Sequence, residues 1–297
     1  MNCGRMYFES RLKILNSKKQ IIMKSLKKTH LYGLAILGLA LATSLTSCKK
    51  DEATPDPVVP SAAKLMVSSQ TISQNAIWVS MANVPANGFI VVHKDNGMGG
   101  PVVPGIVSEA KWVMKGDNND VLVKLDATSN FTDGETLWVM LHEDNGTTGV
   151  YEFDGVNGFD GPFMDNGMMV MTAIDIESAA LKVMDQPVVG NKIIIPEVLA
   201  AADGWLVVHN DDGSGGIVLP GIIGKTLVKK GMNMNVEVML DASETYMAGQ
   251  NLFPMLHLDN GIIGQYEFDG ASAFDGPEIF GNDPFPGNVI FTSFMVQ

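Results

Sequence analysis

The tetrad His-x-Asp-[Asn/Asp]-Gly stands four times in this chain, at 93–97, 142–146, 209–213 and 257–261. The first and third copies lie 116 residues apart and the second and fourth 115, so the chain carries a tandem duplication. Every histidine outside the N-terminal leader falls in a tetrad. Other blocks keep the same spacing. Gly88-Phe89-Ile90-Val91-Val92-His93 matches Gly204-Trp205-Leu206-Val207-Val208-His209, Pro104-Gly105-Ile106 matches Pro220-Gly221-Ile222, and Leu125-Asp126-Ala127 matches Leu240-Asp241-Ala242. The spacing shortens by one residue near 116–119, a turn-forming Gly-Asp-Asn-Asn stretch where a length change costs little. Whatever fold one half adopts, the other must adopt too.

Residues 1–47 read as a leader. Met23-Lys24-Ser25-Leu26-Lys27-Lys28 is a basic start, and the apolar run 31–42 has signal-peptide length, too short for a comfortable membrane span. The 22 residues ahead of Met23 precede a complete signal peptide, which makes Met23 the expected initiator. Leu45-Thr46-Ser47-Cys48 resembles the bacterial lipobox, which implies a lipidated Cys48 as the first mature residue. Residues 48–63, with Pro55, Pro57 and Pro60, read as a solvated tether. The Lys49-Lys50-Asp51-Glu52 patch behind the cysteine resembles the signal that sends Bacteroidota lipoproteins to the outer leaflet of the outer membrane. The resemblance implies a membrane-anchored, surface-exposed protein.

Charge and cysteine use agree with that compartment. The leader holds Cys3 and Cys48 takes lipid, so the mature chain is expected to form no disulfide. With the leader's eight Lys/Arg and one acid removed, 12 basic residues face 32 acidic ones, a net charge of −20. Such a surface repels nucleic acid.

Within each half, apolar residues alternate with period two in runs bounded by Gly, Asn, Asp and Pro. Strands are predicted over 64–69, 76–83, 88–94, 101–107, 120–126, 136–142, 147–153 and 168–176, and no segment sustains an amphipathic helix. The fold class is therefore all-β: two tandem immunoglobulin-like β-sandwiches over 64–176 and 180–297, joined by a hinge at 175–180 like beads with at most a modest interface. The Gly-Trp-Leu-Val-Val-His strand (Gly-Phe-Ile-Val-Val-His in the first half), the Leu-Asp block and the Met-Leu-His-x-Asp-x-Gly-x-x-Gly-x-Tyr-Glu-Phe segment ending in Asp-Gly-Pro recur in both halves. On these motifs the chain resembles an uncharacterised domain family of halophilic archaeal surface and S-layer-associated proteins and bacterial lipoproteins. That resemblance implies a β-rich surface protein and supplies no catalytic residues.

Two readings of the tetrad are open. As structure, it ends a strand and makes a tight Asn-Gly hairpin turn, with Trp138, Met140 and His142 on one face of the strand. As a site, His93, Asp95, His142 and Asp144 in one half, and His209, Asp211, His257 and Asp259 in the other, would converge as borderline ligands for Zn or Cu. The turn alone does not need imidazole. Met164, Met168, Met169, Met171, Met232, Met234 and Met239 read as gap-filling core or strand residues. Separately, Asp154 and Asp160, with Asp269 and Asp275, offer carboxylates six apart on Gly-rich loops, an oxygen set for Ca outside the EF-hand template.

No nucleophile motif, phosphate loop or strict metal-hydrolase spacing occurs, and matched residues in both halves argue against one asymmetric active site. The expectation is a lipid-anchored cell-surface protein with a structural, adhesive or ligand-binding role and no catalysis, its partners the membrane and other surface proteins or glycans. The alternatives are a cell-envelope metal-binding protein and an envelope hydrolase. Trp78, Trp138 and Trp205 are expected in cores, while Trp112, near a loop, could stack on a sugar.

Overall fold

A computed structural model describes residues 62–284 and 286–297; the leader, Cys48 and nearly all of the tether lie outside the described residues. The first half contains β1 (Lys64–Met66), β2 (Gln70–Ile72), β3 (Ala76–Val84), β4 (Gly88–Lys94), β5 (Lys111–Val113), β6 (Gly116–Lys124), β7 (Glu135–Glu143), β8 (Met164–Asp165), β9 (Met168–Met169) and β10 (Met171–Ser178). The second half contains β11 (Ala180–Lys182), β12 (Lys192–Ala200), β13 (Gly204–His209), β14 (Gly224–Val228), β15 (Gly231–Met239), β16 (Asn251–Leu258) and β17 (Phe294–Met295).

Each half is a two-layer β-sandwich of immunoglobulin-like architecture. In the first, the sheet β1-β3-β6 faces the sheet β2-β10-β7-β4-β5; in the second, β11-β12-β15 faces β14-β13-β16-β17. The period-two pattern explains the layers. Ile77 and Val79 on β3, Ile90 and Val92 on β4, and Leu137, Val139 and Leu141 on β7 point into one core, and Ile193, Ile195, Leu206, Val208, Leu252 and Leu256 build its counterpart. Burying side chains of this size stabilises by roughly 1.5–3 kcal/mol each. Gln70 ties the sheets together in the first half: its carboxamide donates to the carbonyl of Trp78 at 3.0 Å and accepts the Trp78 N–H at 2.8 Å, as a neighbouring peptide would. Gln186 brackets Ile194 in the same way.

The other face of the β4/β7 layer is also apolar, which no single-cored sandwich requires. Phe89, Val91 and Met140 form a second buried cluster there, packed by Ile106, Ala110, Tyr151 and Met171. Trp205, Val207 and Met255 do the same in the second half. The coverings are loops. The segments 101–107 and 147–153, predicted as strands, form no ladder and lie instead over the outside of the sheet, the first meeting it at the isolated bridge of Asp95 with Pro101 and both packing on it through Ile106 and Tyr151. Only part of each segment meets the sheet: Ile106 and Tyr151 pack on the outer cluster, while Val102, Val103, Pro104 and Val150 are exposed. Apolar and β-branched composition between Gly and Pro cannot by itself separate that from a strand.

Of the tryptophans expected in cores, Trp205 is buried, Trp138 is half-buried on the outer face of β7, and Trp78 departs furthest. It sits on the outward face of β3 and is 49% exposed. Of the methionines expected as core or strand residues, all stand on strands; Met171 packs on the outer cluster, while Met164, Met168, Met169, Met232, Met234 and Met239 are exposed. Met140 and Met255 are the buried ones, at 1% and 2%.

The expected hinge is mostly strand. β10 runs to Ser178 and β11 begins at Ala180, with Ala179 buried in the second core. The two halves also dock. Asn75, buried and in a left-handed turn at φ 49°, donates to the carbonyl of Gly281 at 2.8 Å and accepts its N–H at 2.9 Å. Beside it, Gln74 donates from its backbone to Ile279 and from its side chain to Pro277, while Phe280 packs on the first core. Rather than separate beads, the described residues of the two halves belong to one compact unit, joined through this contact. A reciprocal, buried amide pair is costly to break because both partners lose their bonds out of reach of water. Asn75→Gly keeps the left-handed backbone and deletes the carboxamide. It is expected to cost about 1–3 kcal/mol and to split the calorimetric unfolding of the two halves into separated transitions; an unchanged single transition would show that the docking is not coupled to stability.

Candidate functional site

The tetrad histidines are the most deeply buried polar side chains of the outer clusters, at 0% exposure for His93, His142 and His209 and 1% for His257. Strand register puts them there. β4 and β7 pair Phe89 with His142, Val91 with Met140 and His93 with Trp138, so all six project to the same side of the sheet. His93 and His142 stand at opposite ends of this patch, yet lean toward each other until their ring centroids are 5.8 Å apart. His209 and His257 repeat the arrangement at 6.0 Å.

Hydrogen bonds fix the tautomers. His93 Nδ1 lies 3.0 Å from the carbonyl of Val102 and 2.7 Å from that of Gly105. A carbonyl only accepts, so Nδ1 carries the proton and Nε2 keeps its lone pair. His142 Nδ1 donates to the carbonyl of Asp160 at 2.6 Å, and its Nε2 faces the thioether of Met140 at 3.1 Å. In the second half, His209 Nδ1 meets Val218 and Gly221, His257 Nδ1 meets Asp275 at 2.6 Å, and His257 Nε2 stands 3.2 Å from Met255 Sδ. The Nε2 atoms of His93 and His209 are buried and bonded to no protein atom. Two imidazole lone pairs and one thioether thus gather inside each copy.

The surroundings keep these rings neutral. Tyr151 and Phe153 set their rings 5.4 Å and 4.9 Å from that of His142. Burial pushes His142 and His257 down to about 4, against the bonds to Asp160 and Asp275, and lowers His93 and His209 as well. Burial also raises the Tyr151 and Tyr266 hydroxyls well above the usual phenol range. A cavity of about 370 Å³ in the second half reaches the site, lined by Leu219, Pro220, Met255, His257, Phe268, Gly270 and Pro277.

The aspartates expected beside the histidines do not join them. Asp95 accepts the Trp138 indole at 2.7 Å and the Gly97 N–H; Asp144 accepts the Trp112 indole at 2.8 Å and the Gly149 N–H. Asp211 caps Gly213 and Asp259 caps Gly264. Among the described residues no group of three or more His, Cys, Asp or Glu is placed to hold a metal ion. The expected His/Asp ligand set is therefore corrected: short aspartate side chains at loop starts satisfy turn amides before they can reach a ring two residues back.

The calcium pairs are also divided. Asp154 and Asp269 are exposed caps of their own loops, on Val156 and Asn157 and on Ala271 and Ser272. Asp160 and Asp275 are fully buried, and their oxygens take backbone N–H groups: Asn145, Gly146 and Glu152 for Asp160, Asn260 and Glu267 for Asp275. Carboxylates ringed by N–H donors are poorly disposed to face a cation.

The Asn-Gly hairpin expectation fails on backbone grounds. Neither Asn96 nor Asn145 has positive φ, as that turn demands of its first residue. Gly97 and Gly213 do use the left-handed region, at φ 74° and 84°. At Gly146 and Gly261 the matter is contact instead, since a Cβ there would displace the carboxylates of Glu152 and Glu267. One motif letter serves two physical purposes. Sequence reading missed Met140 and Met255 as site residues, though the shared Met-Leu-His triplet and the period of two already set each beside its histidine.

Glu278 was missed as well. It is 1% exposed and accepts the N–H groups of Ala201 and Ala202. The matched positions in the first half are Phe163 opposite Pro85-Ala86, where proline offers no N–H. Burial raises Glu278 to about 7 from an ordinary 4.5. Because its folded pKa is raised, its stabilising share is whole below pH 4.5 and is lost as pH climbs through 7, on the order of 3 kcal/mol in all. Glu278→Gln keeps an acceptor and cannot ionise. Its urea midpoint is expected to hold between about pH 5 and about pH 8 relative to wild type, and an identical decline in both proteins would refute the assignment.

Comparisons with known proteins come down on the same two halves. The family model described as "Domain of unknown function (DUF7282)" matches residues 63–177 and again 179–287. Among solved structures, the chain is similar to the "calcium binding domain CBD12 of CALX1.1", at 9% identity over 65% of this chain and 80% of that one with a TM-score of 0.21. It is also similar to "CBD12 from CALX1.2", at 8% identity over 66% and 79% with a TM-score of 0.20. No curated protein matches the chain.

Proposed function

We propose that this chain, which belongs to the family described as "Domain of unknown function (DUF7282)" through both of its halves, is a lipid-anchored envelope protein whose tandem β-sandwiches are binding modules without catalysis. The observation that carries the reading is the repetition of one buried site in both halves. Each has the same two imidazoles, the same Nδ1 anchors and the same thioether, with ring separations of 5.8 and 6.0 Å. Duplication of a complete site multiplies capacity. An asymmetric catalytic centre drawn from both halves would not repeat its parts in each.

Anchoring rests on Cys48 at the end of the leader's apolar run and on the proline-bearing tether behind it, which gives the folded unit reach from a membrane. The net charge of −20 after the leader suits display at a surface and disfavours nucleic-acid partners. Trp78 and Trp112, exposed by 49% and 38%, leave room for contacts with other surface proteins or glycans. Labelling cells with a radioactive fatty acid is expected to mark the wild-type chain and not Cys48→Ser, which should leave the membrane fraction. Protease added to intact cells should remove the folded unit. Equal labelling of both chains, or full protection from protease, would overturn anchoring and surface display respectively.

A further inference from the structure

We propose that each half binds one cuprous ion, Cu(I), through two imidazole nitrogens and a thioether: His93, His142 and Met140 in the first, His209, His257 and Met255 in the second. The inference rests on the reading of the halves as binding modules and names their ligand.

Geometry comes first. With Nδ1 of each ring committed to a backbone carbonyl, only Nε2 can bind an ion, and a carbonyl on the far nitrogen is the usual way a ligating imidazole is oriented. An ion about 2.0 Å from each of two imidazole nitrogens holds their ring centroids roughly 5–6 Å apart. The observed separations are 5.8 and 6.0 Å. The Met140 and Met255 sulfurs already stand 3.1 and 3.2 Å from His142 and His257 Nε2, a contact with no hydrogen to share between two lone-pair donors. His93 Nε2 and His209 Nε2 are buried without a protein partner, a desolvation cost that a ligated ion would offset. The same cost is borne twice, in both halves.

Donor chemistry selects the ion. Thioether sulfur with imidazole favours a soft, monovalent d¹⁰ ion over Zn²⁺ or Ca²⁺. No carboxylate oxygen joins the set among the described residues, so a divalent ion would bring two uncompensated charges into an apolar enclosure of Phe89, Val91, Tyr151 and Phe153. A single charge is the smaller burden. The main-chain carbonyls of Asp160 and Asp275, which take the Nδ1 protons of His142 and His257, hold the two rings with Nε2 free for the ion. In the second half the 370 Å³ cavity walled by Met255 and His257 supplies a route of entry.

The test uses the full purified chain, without oxygen, challenged with the coloured bicinchoninate complex of Cu(I). Wild type is expected to withdraw two equivalents, Met140→Leu or Met255→Leu one, and the double variant none at the same chelator concentration. Met-to-Leu conserves volume and should leave the fold intact by circular dichroism. The lost site should weaken by at least the roughly 10- to 100-fold that an outer-shell partner is worth. X-ray absorption of the loaded chain should show two nitrogens and one sulfur around copper. No withdrawal by wild type, unchanged withdrawal by the double variant, or displacement of Cu(I) by equimolar Zn²⁺ would each overturn the proposal. A chain that takes no Cu(I) but is lipid-labelled and shaved from cells would lose the copper assignment alone, leaving the anchored binding module standing.

Discussion

The outer face of the β4/β7 layer, with Phe89, Val91 and Met140 beside two histidines, is buried as its inner face is, and everything unusual about this protein follows from the need to cover it. A sheet buried on both sides is commonly clad in helices; here irregular loops do the work, and irregular backbone carries polar groups that must be satisfied one by one. Asp160 solves most of that problem in the first half. Its carboxylate takes the N–H groups of Asn145, Gly146 and Glu152, its own N–H is taken by the Asn145 side chain, and its carbonyl takes the His142 ring. Asp275, Asn260 and His257 form the same clamp in the second half. Because the carboxylate is spent on amides, the loop closes over the sheet without exposing a charge to the apolar cluster.

The clamp explains why histidine recurs where a turn asks only for Asp-Asn-Gly. An imidazole can donate from Nδ1 to a loop carbonyl while standing in an apolar layer, and its ring fills space against Tyr151 and Phe153. An asparagine in its place could donate too, but would bury a second polar group needing partners. That structural role accounts for one nitrogen of each ring. It leaves Nε2 unexplained, and the thioether placed against it on the same strand face is the residue that a purely architectural account would not select.

The duplicated halves show which positions are free to drift. Phe163 and Pro85 in one half become Glu278 and Ala201 in the other, an exchange in which a buried carboxyl appears only where a proline has given way to an N–H. Trp138 becomes Phe253, and Asp95, which held the indole, becomes Asp211, whose carboxylate turns to the Asn251 N–H at 3.3 Å instead. The docking turn differs as well, since Asn75 is buried by the 277–281 segment whereas its counterpart Asn191 stays partly exposed. The histidines, the two methionines and the clamp aspartates do not change. Drift around a fixed set is what a shared site produces, although a shared clamp would hold the aspartates and histidines by itself.

Much of this was legible in the chain before any coordinates. The period of two located β3, β4, β7 and β10 and their inward faces, and the repeat spacing set the two units, because both signals are local or purely arithmetical. What the sequence could not show was depth. Residues 101–107 and 147–153 carry β-branched and aromatic side chains because parts of them cover an apolar sheet face, and nothing in their own composition distinguishes a ladder partner from a lid. The same blindness misplaced the aspartates: two residues from a histidine they look like co-ligands, until the loop amides claim them. Met140 escaped for the opposite reason. It shares a strand face with His142, but a thioether acquires chemical meaning only once a lone pair is known to face it at 3.1 Å. Strand periodicity therefore finds the members of a site of this kind, and the hydrogen bonds on the far side of each ring decide which of them can act.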